Sequence, residues 1–202
     1  YLLGGYSVVP NLSNVVQCAA VFSGAMFVSR DGSLTTFDAF DQTFFIAPVT
    51  NVVAVSAYAS NFGTGNLVVL LGNGTVRSLG SVPGPPIGLS NVISVAAGFQ
   101  HVVALRRDGT VYAWGDNSFG QCDVPAGLTN VASIAAGSYH SVALCEDGTV
   151  VAWGNNDYGQ TYVPVDLGPV ASIAAASSYT FALVRKPVGA ARPMFLHSPF
   201  TL

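Results

Sequence analysis

The sequence predicts an all-β fold, a β-propeller built of four-stranded blades. Three observations carry that expectation. A unit of about 39 residues recurs along the chain, starting at residues 14, 51, 91, 130 and 169, and periods of roughly 40 residues mark blades or solenoid repeats. Four of the copies hold Asp-Gly or Asn-Gly between two apolar runs, the strongest short-range hairpin signal. The Ala and Gly runs lack a sustained 3.6-residue period, so helix signals are nearly absent.

Each element of the unit can be placed in order. Residues 130–154 read NVASIAAGSYHSVALCEDGTVVAWG, and residues 91–115 read NVISVAAGFQHVVALRRDGTVYAWG. Residues 14–38 align with them without a gap. Residues 51–80 need five extra residues before the second strand, and the copy at 169–186 stops early. The first strand, as in Ser133 to Ala136, is short and made of small residues. Blades converge on a central axis, and that crowding accounts for Ala96-Ala97, Ala135-Ala136 and Ala174-Ala175. The second strand, as in Ser141 to Cys145, alternates. The turns Asp31-Gly32, Asn73-Gly74, Asp108-Gly109 and Asp147-Gly148 are expected to be type I′, with positive φ at both central residues. The third strand, as in Thr149 to Trp153, carries Trp114 or Trp153 as a wedge between blades, replaced by Phe37 and Leu79 in other copies. A Gly/Asn-rich loop then leads to an expected last short strand near Val163-Pro164. The propeller is expected to span 1–186, as a partial unit 1–10, units 11–48, 49–87, 88–126 and 127–165, and a partial unit 166–186. Residues 187–202 form a C-terminal tail.

The combination SxAAGxxHxxAL, DGTVxAWG and GQxxVP resembles the repeat of the regulator-of-chromosome-condensation family. It looks most like the bacterial secreted branch that includes β-lactamase inhibitor protein II. The match is densest in residues 88–164, which carry Gly98, His101, Ala104-Leu105, Asp108-Gly109, Trp114-Gly115 and Gly120-Gln121. It weakens in residues 11–86, where the Gly, the His and the Trp are lost. The resemblance implies a propeller, commonly of seven blades, and a structural role for the His. Here four full copies and two partial ends point to about five blades. The opening YLLGGYSVVP looks like the back half of a unit, with Gly5 and Pro10 matching Gly159 and Pro164, so one blade would be closed by both termini. The alternative is an open arc, whose edges would present unpaired strand groups. In the tail, PVGAARPMFLHSPFTL, Pro187 ends a strand, while Pro193 and Pro199 argue against helix. Its apolar end is expected to pack on the propeller or to add as a strand to a neighbour.

Charge narrows the function. Only 8% of residues are charged, the formal net charge is −3, and seven Lys plus Arg are spread thinly. No basic stripe supports nucleic-acid binding, and no apolar run approaches the ~20 residues of a membrane span. The start shows no initiating Met and no signal-peptide pattern. A chain poor in charge and rich in Gly, Asn, Ser and Thr suits an extracellular or cell-surface location. Cys18 falls where other copies have Ile or Val and is expected to be a small buried hydrophobe, Cys145 aligns with Ser29, Arg106 and Val184, and Cys122 sits in a loop. His140 lies an odd offset from Cys145, on the opposite face of a strand. His101 and His140 recur once per blade, with Gly24, Asn66 or Thr180 at the place in other copies, so they do not converge as zinc ligands must. Asp31, Asp108 and Asp147 are turn residues, not an acid pair. The loop DNSFGQCD at 116–123 lacks the bidentate Glu of a calcium site. The expectation is no catalytic residue, no metal and no cofactor.

Candidate binding residues lie on one face. The turns between first and second strands carry Phe22, Tyr58, Phe62, Phe99, Tyr139 and Tyr179, and the turns after the third strand add Phe119 and Tyr158. Aromatic tips ringed by Ser, Asn and Gly are typical of recognition loops. The insertion YASNFGTGN at 58–66 breaks the repeat on that same face. The function expected is a non-enzymatic extracellular binding or scaffold module that recognises a protein or glycan through these tips. The alternative is a structural subunit of a surface assembly or filament, self-associating through residues 187–202 and the blade edges. A nucleotide-exchange factor is least favoured, because its partner surface would use charges this chain lacks.

Overall fold

A computed structural model describes residues 14–21, 24–38, 42–44, 49–58, 66–79, 82–185 and 194–196. Those residues form strands and turns and no helix. The strands fall into five antiparallel sheets in chain order. The first holds β1 (Val15–Val21), β2 (Gly24–Ser29), β3 (Leu34–Asp38) and β4 (Gln42–Phe44). The second holds β5 (Val52–Tyr58), β6 (Asn66–Leu71) and β7 (Val76–Ser78), and the third β8 (Val92–Ala97), β9 (His101–Arg106) and β10 (Val111–Gly115). The fourth holds β11 (Val131–Ala136), β12 (His140–Cys145) and β13 (Val150–Gly154), and the fifth β14 (Val170–Ala176), β15 (Tyr179–Val184) and β16 (Met194–Leu196).

The expected four-stranded blade therefore holds only in the first sheet among the described residues. After β10 and β13 the chain runs as loop through residues 116–130 and 155–169, and the strand expected near Val163-Pro164 is absent. The cause is local. These loops satisfy their own backbone through turns, as in Gly120 N–H to Asn117 C=O at 3.1 Å and Asp123 N–H to Gly120 C=O at 3.0 Å, while Pro125 and Pro164 have no N–H to give a ladder. Of the tail, residues 194–196 are described: Phe195 pairs with Phe181 and Met194 with Ala182, so these residues are the third strand of the chain's own last sheet. The strand that the first ten residues were expected to add lies outside the described residues.

The hairpin turns also differ from expectation. Gly32, Gly74, Gly109 and Gly148 have φ between 77° and 88°, but the Asp or Asn before each does not have positive φ. In the third sheet Gly109 N–H bonds Arg106 C=O at 3.0 Å and Arg106 N–H bonds Thr110 C=O at 2.9 Å. That is a three-residue loop, a type I turn closed by a left-handed Gly, rather than a two-residue type I′ turn. The Asp side chain selects it by accepting from the backbone two residues on, as Asp108 does from Thr110 N–H at 3.1 Å.

Consecutive sheets are stitched through these same turns. Val131 N–H bonds Gly109 C=O at 3.2 Å, and the same link joins Val52 to Gly32, Val92 to Gly74 and Val170 to Gly148. The preceding Asn14, Asn51, Asn91 and Asn130 all have φ of 55–65°, a region Asn tolerates better than other side chains. The apolar core is correspondingly divided into layers between sheets. Val103, Leu105 and Val111 of the third sheet meet Val131, Ile134 and Trp153 of the fourth, and equivalent layers join the first to second, second to third, and fourth to fifth. Trp114 and Trp153 are buried in such layers, as wedges should be. The innermost strands β1, β5, β8, β11 and β14 all contribute to the lining of one central space of about 610 Å3, walled largely by the Ala pairs.

Candidate functional site

Two structures meet on the face opposite the Asp-Gly turns: a set of buried clamps and, above them, a row of aromatic rings. The clamps come first because they fix the turns. His101 is fully buried, with Nε2 3.1 Å from Ser141 Oγ in the next sheet. Ser141 Oγ donates to Gln121 C=O at 2.8 Å, a carbonyl that also accepts from Trp153 Nε1 at 3.0 Å. The single hydroxyl proton is thus committed, so His101 Nε2 must be the donor to Ser141, leaving Nδ1 as a bare, unpartnered acceptor. One blade on, His140 Nε2 lies 3.0 Å from Thr180 Oγ1, which donates to Gln160 C=O at 2.7 Å. Each imidazole lies against Gly98 or Gly137, where even a Cβ would meet the ring.

Burial holds both rings well below the usual imidazole value, at about 4; for His101 the neighbouring His140 pushes the same way and Asp116 opposes it. They are neutral structural clamps. The sequence alignment needs one correction here: Thr180 takes the place of Ser141, and the His position of the last copy is Tyr179. In the second sheet Asn66 fills the place, donating through Nδ2 to Gly98 C=O and Phe99 C=O, both at 2.8 Å.

The turns themselves are chained together, Phe99 N–H to Ser138 C=O at 3.2 Å and Ser138 N–H to Ser177 C=O at 2.8 Å. On them sits the aromatic row. Tyr58 and Phe99 meet edge-on with centroids 6.0 Å apart, Phe99 and Tyr139 likewise at 5.6 Å, and Phe119 closes on Tyr139 at 5.0 Å. Tyr58 OH hydrogen-bonds Ser138 Oγ at 2.5 Å, reaching past the third sheet to the fourth. Four predicted tips from three sheets are therefore contiguous, and Phe119 shows that the two kinds of turn do share a face. Tyr158 stands exposed on its own turn, and Tyr179 is exposed and meets Phe181 at 6.4 Å. Phe22, Phe62 and the insertion at 59–65 lie outside the described residues.

The polar loops beside the row are saturated internally. Asp116 accepts from Ser118 Oγ at 2.5 Å and Gln121 Nε2 at 2.8 Å, while Gln121 Oε1 accepts from Phe119 N–H at 2.9 Å. The loop 155–161 repeats the scheme, with Tyr158 N–H held by Gln160 Oε1 at 2.9 Å and Gln160 Nε2 bonded to Asn155 Oδ1. Gln121 and Gln160 thus position Phe119 and Tyr158. Sequence reading took them as framework and missed that task; their recurrence at the same place in consecutive units was the available signal. Among the described residues no three His, Cys, Asp or Glu converge as a metal group.

With this geometry in place, comparison with known proteins is specific about the repeat. Residues 92–121 and 131–160 match the regulator of chromosome condensation (RCC1) repeat. Over 48 residues the chain is 44% identical to Protein pim1 of Schizosaccharomyces pombe, covering 24% of this chain and 9% of that one. Over 39 residues it is 46% identical to Guanine nucleotide exchange factor SRM1 of Saccharomyces cerevisiae, covering 19% and 8%. The fold resembles yeast RCC1 (Prp20) in its crystal structure with Kap60, with a TM-score of 0.67 and 20% identity over 84% of this chain and 54% of that one. Human WBSCR16 gives a TM-score of 0.67 at 17% identity, over 90% and 60%. The ectodomain of the Physcomitrella patens receptor kinase CR4 gives 0.66 at 19%, over 85% and 49%. The chain therefore spans about half the length of these solved relatives, and its matches span under a tenth of those two curated ones.

Proposed function

We propose that this RCC1-like repeat protein is a non-enzymatic binding module that recognises a protein through the aromatic row. The observation that carries the reading is the contiguity of Tyr58, Phe99, Tyr139 and Phe119 on turns locked by buried clamps. Rigid aromatic rings give large contact area at little entropic cost, and the clamps hold the turns in place before any partner arrives. Protein is favoured over glycan by ring orientation. Neighbouring rings are turned 50–73° to one another, so the row offers edges and gaps rather than a run of flat faces for stacking sugars. Relatives point the same way: the solved structures of yeast RCC1 (Prp20) name Kap60, Gsp1p and histones as its partners. The low charge, and the resemblance to the secreted bacterial branch, support a location outside the cell or on its surface.

The test is a photo-reactive phenylalanine analogue at position 119, irradiated with the chain in its native setting. It is expected to join the chain to a second polypeptide, with a yield that falls about tenfold or more when Tyr139→Ala removes a central anchor. Adducts with carbohydrate alone would move the reading to a glycan. A yield indifferent to Tyr139→Ala would remove the aromatic row as the binding surface.

A further inference from the structure

Charge is divided between the two faces of the array. The chain holds seven Lys plus Arg, and those among the described residues lie at the hairpin-turn end of their sheets. Arg30, Arg107 and Arg185 occupy one place in three sheets. The N–H of each bonds the C=O just before the first strand, that of Asn14 at 2.8 Å, Asn91 at 2.9 Å and Pro169 at 2.8 Å. Arg106 pairs with Asp108 of the turn itself at 3.1 Å, and Arg77 sits opposite Val69 just after the Asn73-Gly74 turn. Lys186 and Arg192 lie outside the described residues. The aromatic side is the reverse. Asp116 and Asp123 belong to the loop that carries Phe119, and Asp157 precedes Tyr158. Each carboxylate is anchored by neutral donors: Asp116 by Ser118 Oγ and Gln121 Nε2, Asp123 by Asn117 Nδ2 at 2.8 Å, and Asp157 by Asn155 Nδ2 at 2.8 Å. Those bonds place the negative charge without cancelling it. The bond from the Ser118 side chain, first of all, holds the Asp116 carboxyl below its ordinary value. His101 and His140 beneath the row are held neutral by burial, and residues 59–65 contain no charged side chain. Among the described residues the row is therefore bordered by anions and by no cation.

We propose that the partner surface meeting the aromatic row is basic, a polypeptide segment that presents Lys or Arg side chains to it. The proposal rests on the reading of the row as a binding surface and adds the chemistry of what binds there. Lys and Arg suit both parts of this border. Their aliphatic stems cover ring surface while their charged heads reach the carboxylates, and a ring face itself attracts a cation. An acidic segment would meet like charge along the border and be repelled. The two faces also differ enough to orient approach, since the Arg side chains stand on the opposite one.

Selection of a random dodecapeptide library on the immobilised whole chain tests this, with parallel selections on Tyr139→Ala and Phe119→Ala. Phe119 is exposed, so its variant should keep the wild-type circular dichroism even if Tyr139→Ala does not. Peptides retained by wild type and lost by the ring variants are expected to be rich in Lys and Arg. Their affinity is then measured on a double variant, Asp123→Asn with Asp157→Asn, in which each Asn Oδ1 can still accept the bond that anchors its loop. The double variant is expected to bind them about fivefold more weakly and to lose much of the wild type's sensitivity to salt. Asp147→Asn, on the opposite face and in the place where the second copy has Asn73, is expected to change nothing. Ring-dependent peptides that are neutral or acidic, or basic ones held as tightly by the double variant as by wild type, would overturn the basic partner while leaving the row as the binding surface. No ring-dependent peptide at all would remove the row itself, and the basic partner with it.

Discussion

His140 is fully buried between two blades with Thr180 Oγ1 at its Nε2, so a proton on its ring would place a charge out of reach of solvent. Burial lowers its pKa from 6.5 to about 4, and that of His101 likewise. An unfolded chain binds those protons at higher pH than the folded one, so folding is fully supported above pH 6.5 and weakens as pH falls toward 4. The shift corresponds to ~3 kcal/mol per ring. Urea midpoints taken from pH 7 to pH 4 should therefore fall, and replacing both His101 and His140 by Asn, the residue at position 66, should flatten that slope. A slope unchanged in the double variant would refute the assignment. Asp31, Asp108 and Asp147 carry pKa values lowered by hydrogen bonds from Ser33, Thr110 and Thr149, so their contribution is lost only at still lower pH. The recurrence of His101 and His140 at one place per unit made their structural role legible from sequence. Their partners were not, because Ser141 and Thr180 pair with them across blades some 40 residues away, and a periodic alignment stacks equivalent residues without showing who faces whom.

At the scale of the element, the hairpin shows how a correct location can carry a wrong conformation. Asp108-Gly109 marked the turn rightly, yet Thr110 draws the Asp carboxylate into an Asx contact, which favours the type I geometry and leaves positive φ to Gly alone. The Gly has a second duty that no local pattern reveals. A Cβ on Gly109 would lie 3.1 Å from Asn130 Cα and N in the next blade, whereas Gly127, also at positive φ, has nothing within 4 Å. Gly127→Ala should then cost about 1–2 kcal/mol, the left-handed strain of an L residue. Gly109→Ala should cost measurably more, because it also pushes the Gly109–Val131 stitch apart. Equal losses in urea unfolding would show that the blade-to-blade contact carries no weight. The missing fourth strands belong to this scale too: loops rich in Gly, Asn and Pro can read as short strands, but Asn117 and Asn156 side chains accept from Cys122 and Thr161 N–H, and turn bonds take the N–H of Asp123 and Tyr162, so the backbone a strand would have offered is already used.

For the whole molecule, the copy starts at 14, 51, 91, 130 and 169 each became the leading edge of one sheet, and the Ala pairs became the wall of the central space. The period made both legible. The aromatic face was legible as a set of turns, and its contiguity was not, since Tyr58 reaches Ser138 across 80 residues of chain. Stability in such an array is close to a sum of units and nearest-neighbour seams. β9 and β12 lie between two seams and are buried along their length, while β15 buries Thr180 and Ala182 toward one seam and leaves Tyr179, Phe181 and Leu183 partly exposed. Native-state hydrogen exchange should accordingly be slowest at amides of β9 and β12 and much faster at β15. Uniform protection across all three would mean that the chain opens as one cooperative block and that the seams do not act separately. The arrangement of seams, repeated from sheet to sheet, is what decides where the molecule is firm.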